Sequence, residues 1–417
     1  MISNSLRQGI FLIIVYMLFV HWEVWINSNF IILVVLANIN NAFDCKEIIE
    51  KIKKRIDNSR TKHLSYAGRL QLIASVLSSM HIYWASVYKI PNTVIIEIEK
   101  IIKGFLWNHG DSIRGKAKVS WKVVCTPKNQ GGLGLKPMQE WNNVLLIKQL
   151  WKLIEKKESL WYNWVNLVKL KGKSIWEIED KQSDSWGWKQ LLLLRDKVRN
   201  HVAEDIDGSV KWITNKGNKV PYKTSQAWVD LTASTITVPW HHVVWFPQAN
   251  PKHAFIMWLA VKERLTTHDK LMKWYPSKSF KCALCDKEED SISHLFFECE
   301  FSKKVWSELK KLLIFRGLPG NLQGIVNMLA GFPFRCQIWD VINSLTVAAA
   351  VYHIWQERNC RIFKGNQRSE VDLTQCIVDG IRLKLTTLKV RGTAAIALAA
   401  KNWKMELIDG RLKIQDE

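Results

Sequence analysis

The sequence is short of several things, and each shortage removes a class of protein. Proline numbers 10 and glycine 20 in 417 residues, without any G-X-Y period, which excludes collagen-like chains. Acidic residues number 38 against 60 lysines and arginines, so there is no acidic tail. Eight cysteines in so long a chain are too sparse for a disulfide scaffold. Charged residues make up 24% and hydrophobic ones 47%, which is globular rather than disordered composition. The length suggests two to four domains with real cores.

Long apolar runs are also missing. Residues 9–20 (GIFLIIVYMLFV) and 30–37 (FIILVVLA) are apolar, but each is shorter than the roughly 18–20 residues that span a bilayer. One helix through both would carry Glu23 and Asn27 near its middle. A signal peptide would fit Arg7 and the first run, yet no small-x-small cleavage site follows clearly. A membrane tether through residues 9–38 therefore stands as the less favoured reading, beside a core segment or sequence foreign to the ancestral domain.

What is present is positive charge and tryptophan. The formal net charge is +22, and 22 tryptophans run from Trp22 to Trp403. Residues 46–122 carry a net of +9 and residues 123–200 a further +6. Such an excess attracts polyanions, either nucleic acid or an acidic membrane surface. Lys53, Lys54, Arg55, Arg60, Lys62 and Arg69 cluster within seventeen residues and are the candidate phosphate contacts; the competing reading is a solvated helix face. Tryptophans can stack on bases, but at helical spacing most belong to a core.

Periodicity predicts a mainly α fold. Residues 46–59 read as an amphipathic helix with Ile49, Ile52 and Ile56 on one face, and residues 66–89 as one longer helix that Pro91 ends. A third helix follows, capped by Asn92 or Thr93, with Ile95, Ile98, Ile102 and Phe105 in step. Three such helices with short connections make a small bundle. Gly131, Gly132 and Gly134 match no phosphate-binding pattern and read as a turn. Residues 142–155, 303–313, 339–357 and 371–388 read as further helices, and 210–213 and 219–222 as short strands.

The sharpest motif is Cys282-x2-Cys285-x8-His294-x4-Cys299. Three thiolates and one imidazole supply the four ligands of a closed tetrahedral site, so one structural Zn2+ is expected rather than a catalytic ion. Metal would supply the folding energy of so short a stretch. Between Lys281 and Glu300 two basic residues face six acidic ones, a net of −4, so this knuckle is expected to orient helices rather than grip phosphate. The other cysteines are isolated, which fits an intracellular chain in nucleus or cytoplasm. A cross-braced ubiquitin ligase needs eight ligands where four are offered.

Several stretches resemble plant LINE-type (non-LTR retrotransposon) reverse transcriptases. DCKEIIEKIKKRIDNSRTKHLSYAGRLQLIASVL (44–77), IIKGFLWNHG (101–110) and the GGLGLKP loop resemble the region just after the palm. YKTSQAW (222–228), VVWFPQANPKHAFIMWLAVKERLTTHDKL (243–271) and CALCDKEEDSISHLFFECEFSKKVW (282–306) resemble the zinc-binding domain that follows. VYHIWQERNCRIF (351–363) resembles the sequence downstream of it. The resemblance implies a thumb-like helical region over 45–155, a Trp-rich linker over 156–220, the zinc-binding domain over 221–313 and a C-terminal helical region over 314–417, with 1–44 of separate character.

Family polymerases hold two metals on an Asp-Asp pair, and no Asp-Asp dipeptide occurs anywhere in this sequence. The expectation is a non-enzymatic, zinc-stabilised protein that binds RNA or DNA and takes no small-molecule substrate, a C-terminal fragment of a retroelement protein. The alternative is a degenerate fragment with structural or no activity.

Overall fold

The computed structural model describes residues 46–57, 64–107, 117–232, 236–272, 281–314 and 317–414. Both N-terminal apolar runs, Arg60 and Lys62 lie outside them. Among the described residues the fold is mainly α, and no helix is long and apolar enough to cross a membrane.

The chain forms two compact units. Among the described residues the first takes 46–57, 72–105 and 136–232; the second takes 64–71, 106–107, 117–135, 236–272, 281–314 and 317–414.

At the centre of the first unit is the helix Met138–Ile154, which packs against Ile82–Ala85, Trp186–Val198 and Thr224–Thr232. Its apolar residues lie on nearly every side, and Val144 to Ile147 are all buried, as a helix surrounded by others requires. Asn142, fully buried, is satisfied completely. Its Nδ2 donates to the carbonyls of Ala85 at 2.7 Å and Tyr88 at 2.9 Å, and its Oδ1 accepts from the Ile90 amide at 2.9 Å. One amide side chain thus fixes the turn ahead of Pro91.

Trp151, Trp161, Trp188 and Trp212 belong to the core. Trp212 is fully buried in the middle strand of an antiparallel sheet, Val202–Glu204, Val210–Ile213 and Lys219–Val220, facing Val202 on one side and Val220 on the other. Its Nε1 donates to Asp230 Oδ2 at 2.7 Å, and Trp151 stacks on Tyr222 with ring centroids 4.8 Å apart. A buried indole with its N–H paired is a stable core element.

The second unit is organised on the 27-residue helix Ile338–Lys364, which packs on Pro251–Val261 and Glu370–Thr386. Glu300–Lys311 lies on Glu370–Thr386, and an antiparallel hairpin, Met405–Ile408 with Arg411–Ile414, closes the chain. In the glycine loop, Gly131 at φ +86° and Gly134 at φ +75° take the left-handed backbone that a turn here needs. A Cβ on Gly132 would lie 2.1 Å from the Thr126 carbonyl oxygen, so only glycine fits.

One expected helix is broken. Residues 66–89 form Tyr66–Leu72, a widened turn over Ile73–Leu77, a bend at 78–81 and a short helix, Ile82–Ala85. The Ser78 amide donates to the Ile73 carbonyl at 2.9 Å, one residue further back than an α-helix allows, and Ser79 Oγ donates to the Val76 carbonyl at 2.7 Å. Serine hydroxyls compete with the helical ladder in this way, and apolar spacing does not register it.

Candidate metal centre

The four residues of the cysteine–histidine motif come together. Their donor atoms, three Sγ and one imidazole nitrogen, all lie within 4.8 Å of one another. Cys282 Sγ is 3.9 Å from Cys299 Sγ, and Cys285 Sγ is 3.3 Å from His294 Nε2. Zn–S bonds of about 2.3 Å and a Zn–N bond of about 2.05 Å at tetrahedral angles give edges of about 3.8 Å and about 3.6 Å. Two edges of the cluster therefore lie within about 0.3 Å of those of a tetrahedral zinc site, and its donor chemistry suits zinc.

Local backbone geometry explains how eighteen residues do this. The Cys282 amide donates to the Glu288 carbonyl at 2.7 Å and the Asp286 amide to the Cys282 carbonyl at 2.8 Å, folding residues 282–288 into a tight knuckle. Asp286 sits at φ +55°, a left-handed position that aspartate tolerates better than most residues. On the other side Phe297 is also left-handed, at φ +78°, and breaks the turn that begins at His294. Ser302 holds that break: its Oγ accepts from the Phe297 amide at 3.1 Å and donates to the Cys299 carbonyl at 3.2 Å. The Cys299 amide then returns to the His294 carbonyl at 2.7 Å, bringing both ligands to the same side.

The electrostatics favour thiolate at Cys282. The Cys299 thiol beside it pulls Cys282 well below the ordinary thiol range, and the backbone amides of Leu284 and Cys285 add to this. Cys299 itself is pushed up by the same pairing and by burial, although the amides of Phe301 and Ser302 oppose the rise. A cation replaces those protons, because the thiolate is the metal ligand.

Around the ligands lies a buried ionic clamp. Asp290, fully buried, accepts from Arg358 Nε at 3.3 Å and from Arg358 Nη2, and its Oδ2 also accepts the His268 amide at 2.8 Å. Arg358 is 3% exposed and lies over the Trp355 ring at 5.1 Å. One turn along the same helix, Arg361 Nη1 donates to the carbonyls of Leu284 at 3.1 Å and Ala283 at 3.4 Å, the two residues between the first pair of cysteines. Arg361 is held in turn by buried Glu357, whose Oε1 accepts from its Nε at 2.9 Å, and it lies over the Phe301 ring at 4.5 Å. The knuckle is thus fastened to the Ile338–Lys364 helix.

Sequence reasoning missed this clamp. Asp290 counted only as one of six acids in an unfavourable field, and the four-residue spacing of Glu357 and Arg361 was the available cue.

The candidate phosphate contacts are not all alike. Lys53, Lys54 and Arg55 lie on the exposed side of Lys46–Ile56, opposite buried Ile48, Ile49 and Ile52. Lys53 also pairs with Glu97 at 3.4 Å, both side chains about half exposed. Arg69 is 2% exposed, its Nε donating to the Leu64 carbonyl at 3.1 Å, so burial removes it from the surface set. Arg60 and Lys62 lie outside the described residues.

Among proteins of known sequence, residues 222–306 match the family of zinc-binding domains in reverse transcriptases. A protein of Arabidopsis thaliana named as a ribonuclease H protein is 33% identical over 190 residues, covering 44% of this chain and 28% of its own length. An uncharacterized mitochondrial protein of Arabidopsis thaliana is 21% identical over 133 residues, 32% of this chain and 86% of that protein. This chain thus spans less than a third of the first relative. The family match, at 222–306, contains all four residues of the tetrahedral cluster.

Proposed function

We propose that this chain is a non-catalytic, zinc-stabilised nucleic-acid-binding protein, derived from the C-terminal part of a plant LINE-type reverse transcriptase. The observation that carries the reading is the closed Cys282–Cys285–His294–Cys299 tetrahedron inside a match to reverse transcriptase zinc-binding domains. A site with four protein ligands has no open position for substrate, so one zinc ion acts structurally, holding the knuckle on the Ile338–Lys364 helix.

RNA or DNA is the partner, held through phosphates by the basic upstream regions, where residues 46–122 carry a net of +9. The exposed face bearing Lys53, Lys54 and Arg55 supplies part of that surface, and the knuckle, with its net of −4, does not. The lack of an Asp-Asp pair supports a non-catalytic role, because two-metal nucleotidyl transfer requires paired carboxylates. The protein works inside the cell, in nucleus or cytoplasm.

The test is fluorescence anisotropy of labelled RNA and DNA across a salt series. Phosphate-dominated binding weakens steeply with salt, and Lys53→Gln/Lys54→Gln/Arg55→Gln flattens the dependence. Binding that ignores salt contradicts the reading, and primer extension by the purified chain overturns its non-catalytic part. A folded chain that binds no nucleic acid is instead the degenerate remnant.

A further inference from the structure

The first unit contains a cleft of about 810 Å³ that the zinc site does not explain. Its walls carry two cations, Lys89 and Lys197, the indole of Trp186, the amides of Asn143 and Gln190, and Asn92 at the start of the 16-residue helix Asn92–Trp107. No carboxylate lines it. We infer that this cleft binds a nucleotide unit of single-stranded nucleic acid, with its phosphate between Lys89 and Lys197 and its base on the Trp186 ring.

Lys89 lies in a turn pinned by the buried Asn142 side chain. Asn142 holds the backbone on both sides of it, and Lys89 Nζ donates to Asn143 Oδ1. Burial and the neighbouring Lys197 charge both disfavour its protonated form, with Glu140 the one opposing influence. Two cations facing one concavity repel each other, and an anion placed between them relieves this. The free amides at the start of Asn92–Trp107 add a favourable field of the same sign.

Trp186 opens the helix Trp186–Val198, where Ser185 Oγ accepts the Trp188 amide and fixes the first turn. It is 37% exposed, unlike the fully buried Trp188 two residues on, and stacks on no other described aromatic ring. An indole face beside paired cations and amide groups suits an unstacked base, which a single strand offers and a duplex does not. The volume lies in the ordinary range for a nucleotide-sized ligand.

This inference rests on the nucleic-acid reading and names the site and strand form within it. The experiment uses the full zinc-loaded chain, a fluorescein-labelled oligo-uridine or oligo-thymidine 12-mer and a hairpin duplex of matched charge. Trp186→Ala is expected to weaken single-strand binding about tenfold and to leave duplex binding unchanged. Lys89→Gln/Lys197→Gln is expected to reduce the log–log salt slope by about 0.7, one single-strand phosphate contact. A 5-iodouridine oligonucleotide should photo-crosslink to wild type on the peptide containing Trp186, a readout independent of how the variants fold.

If both variants bind single strands like wild type while Lys53→Gln/Lys54→Gln/Arg55→Gln weakens binding, the cleft assignment falls and the broader reading stands. If wild type binds neither probe, both fall.

Discussion

Arg358 and Asp290, 68 residues apart, form a buried pair in which guanidinium and carboxylate are both almost wholly removed from water. Desolvation alone would make such a pair costly, and excellent geometry with further hydrogen bonds offsets this. Asp290, inside the segment that carries the cysteine–histidine cluster, has both, accepting from Arg358 and from the His268 amide. The pair joins the knuckle to the longest helix among the described residues.

Breaking one side of it strands the other charge. Arg358→Met leaves buried Asp290 with only the His268 amide at 2.8 Å and the His268 imidazole at 3.2 Å beside it, and is expected to destabilise the second unit by about 3 kcal/mol. Denaturant unfolding of the zinc-loaded chain measures this. A loss under 1 kcal/mol would mean that solvent reaches Asp290.

Arg361 acts on the knuckle through its carbonyls. Arg361→Leu removes donors to Leu284 and Ala283 and leaves Glu357 to Arg368 alone, while all four residues of the cysteine–histidine cluster remain. Zinc affinity is expected to fall about 10–100-fold, as when groups supporting metal ligands are removed. Competition with a colorimetric chelator reads the change, and unaltered affinity would show that the knuckle folds without its helix.

Gly132 has no room for a side chain. Gly132→Ala places a Cβ 2.1 Å from the Thr126 carbonyl and 2.5 Å from that of Val123, and is expected to cost about 1–3 kcal/mol or more. Thermal unfolding should show a lowered midpoint, and an unchanged one would rule out this loop geometry.

His81 gives the first unit an acid sensitivity. Burial pushes its imidazole down to about 4. Because the folded value is lower than the unfolded one of about 6.5, the contribution is intact above pH 6.5 and is lost as pH falls toward 4. Between pH 7.5 and 5 the loss is about 2 kcal/mol. His81→Leu should flatten the profile over this window, and a variant as acid-sensitive as wild type would assign the titration elsewhere.

Legibility in the sequence followed the range of the interactions. The cysteine–histidine cluster was readable because its chemistry is local, with all four residues inside eighteen residues of chain. The Gly131–Gly134 turn and the helices at 46, 92 and 370 were readable for the same reason, from φ requirements and apolar spacing. The break between Leu72 and Ile82 was not, because it rests on serine hydroxyls and a widened turn that leave the apolar spacing intact. Neither was the burial of Arg69, which counts as a basic residue until its packing is known. Asp290–Arg358 was the hardest, because the two residues meet only through tertiary structure.

The most direct test of the account is the metal content of the purified full chain, measured by mass spectrometry with Cys299→Ser and His294→Ala as variants. The account predicts one zinc per chain, lost in both variants and retained in Cys376→Ser, whose cysteine lies outside the cluster. A folded wild-type chain without zinc, or one whose zinc survives in Cys299→Ser and His294→Ala, would contradict it.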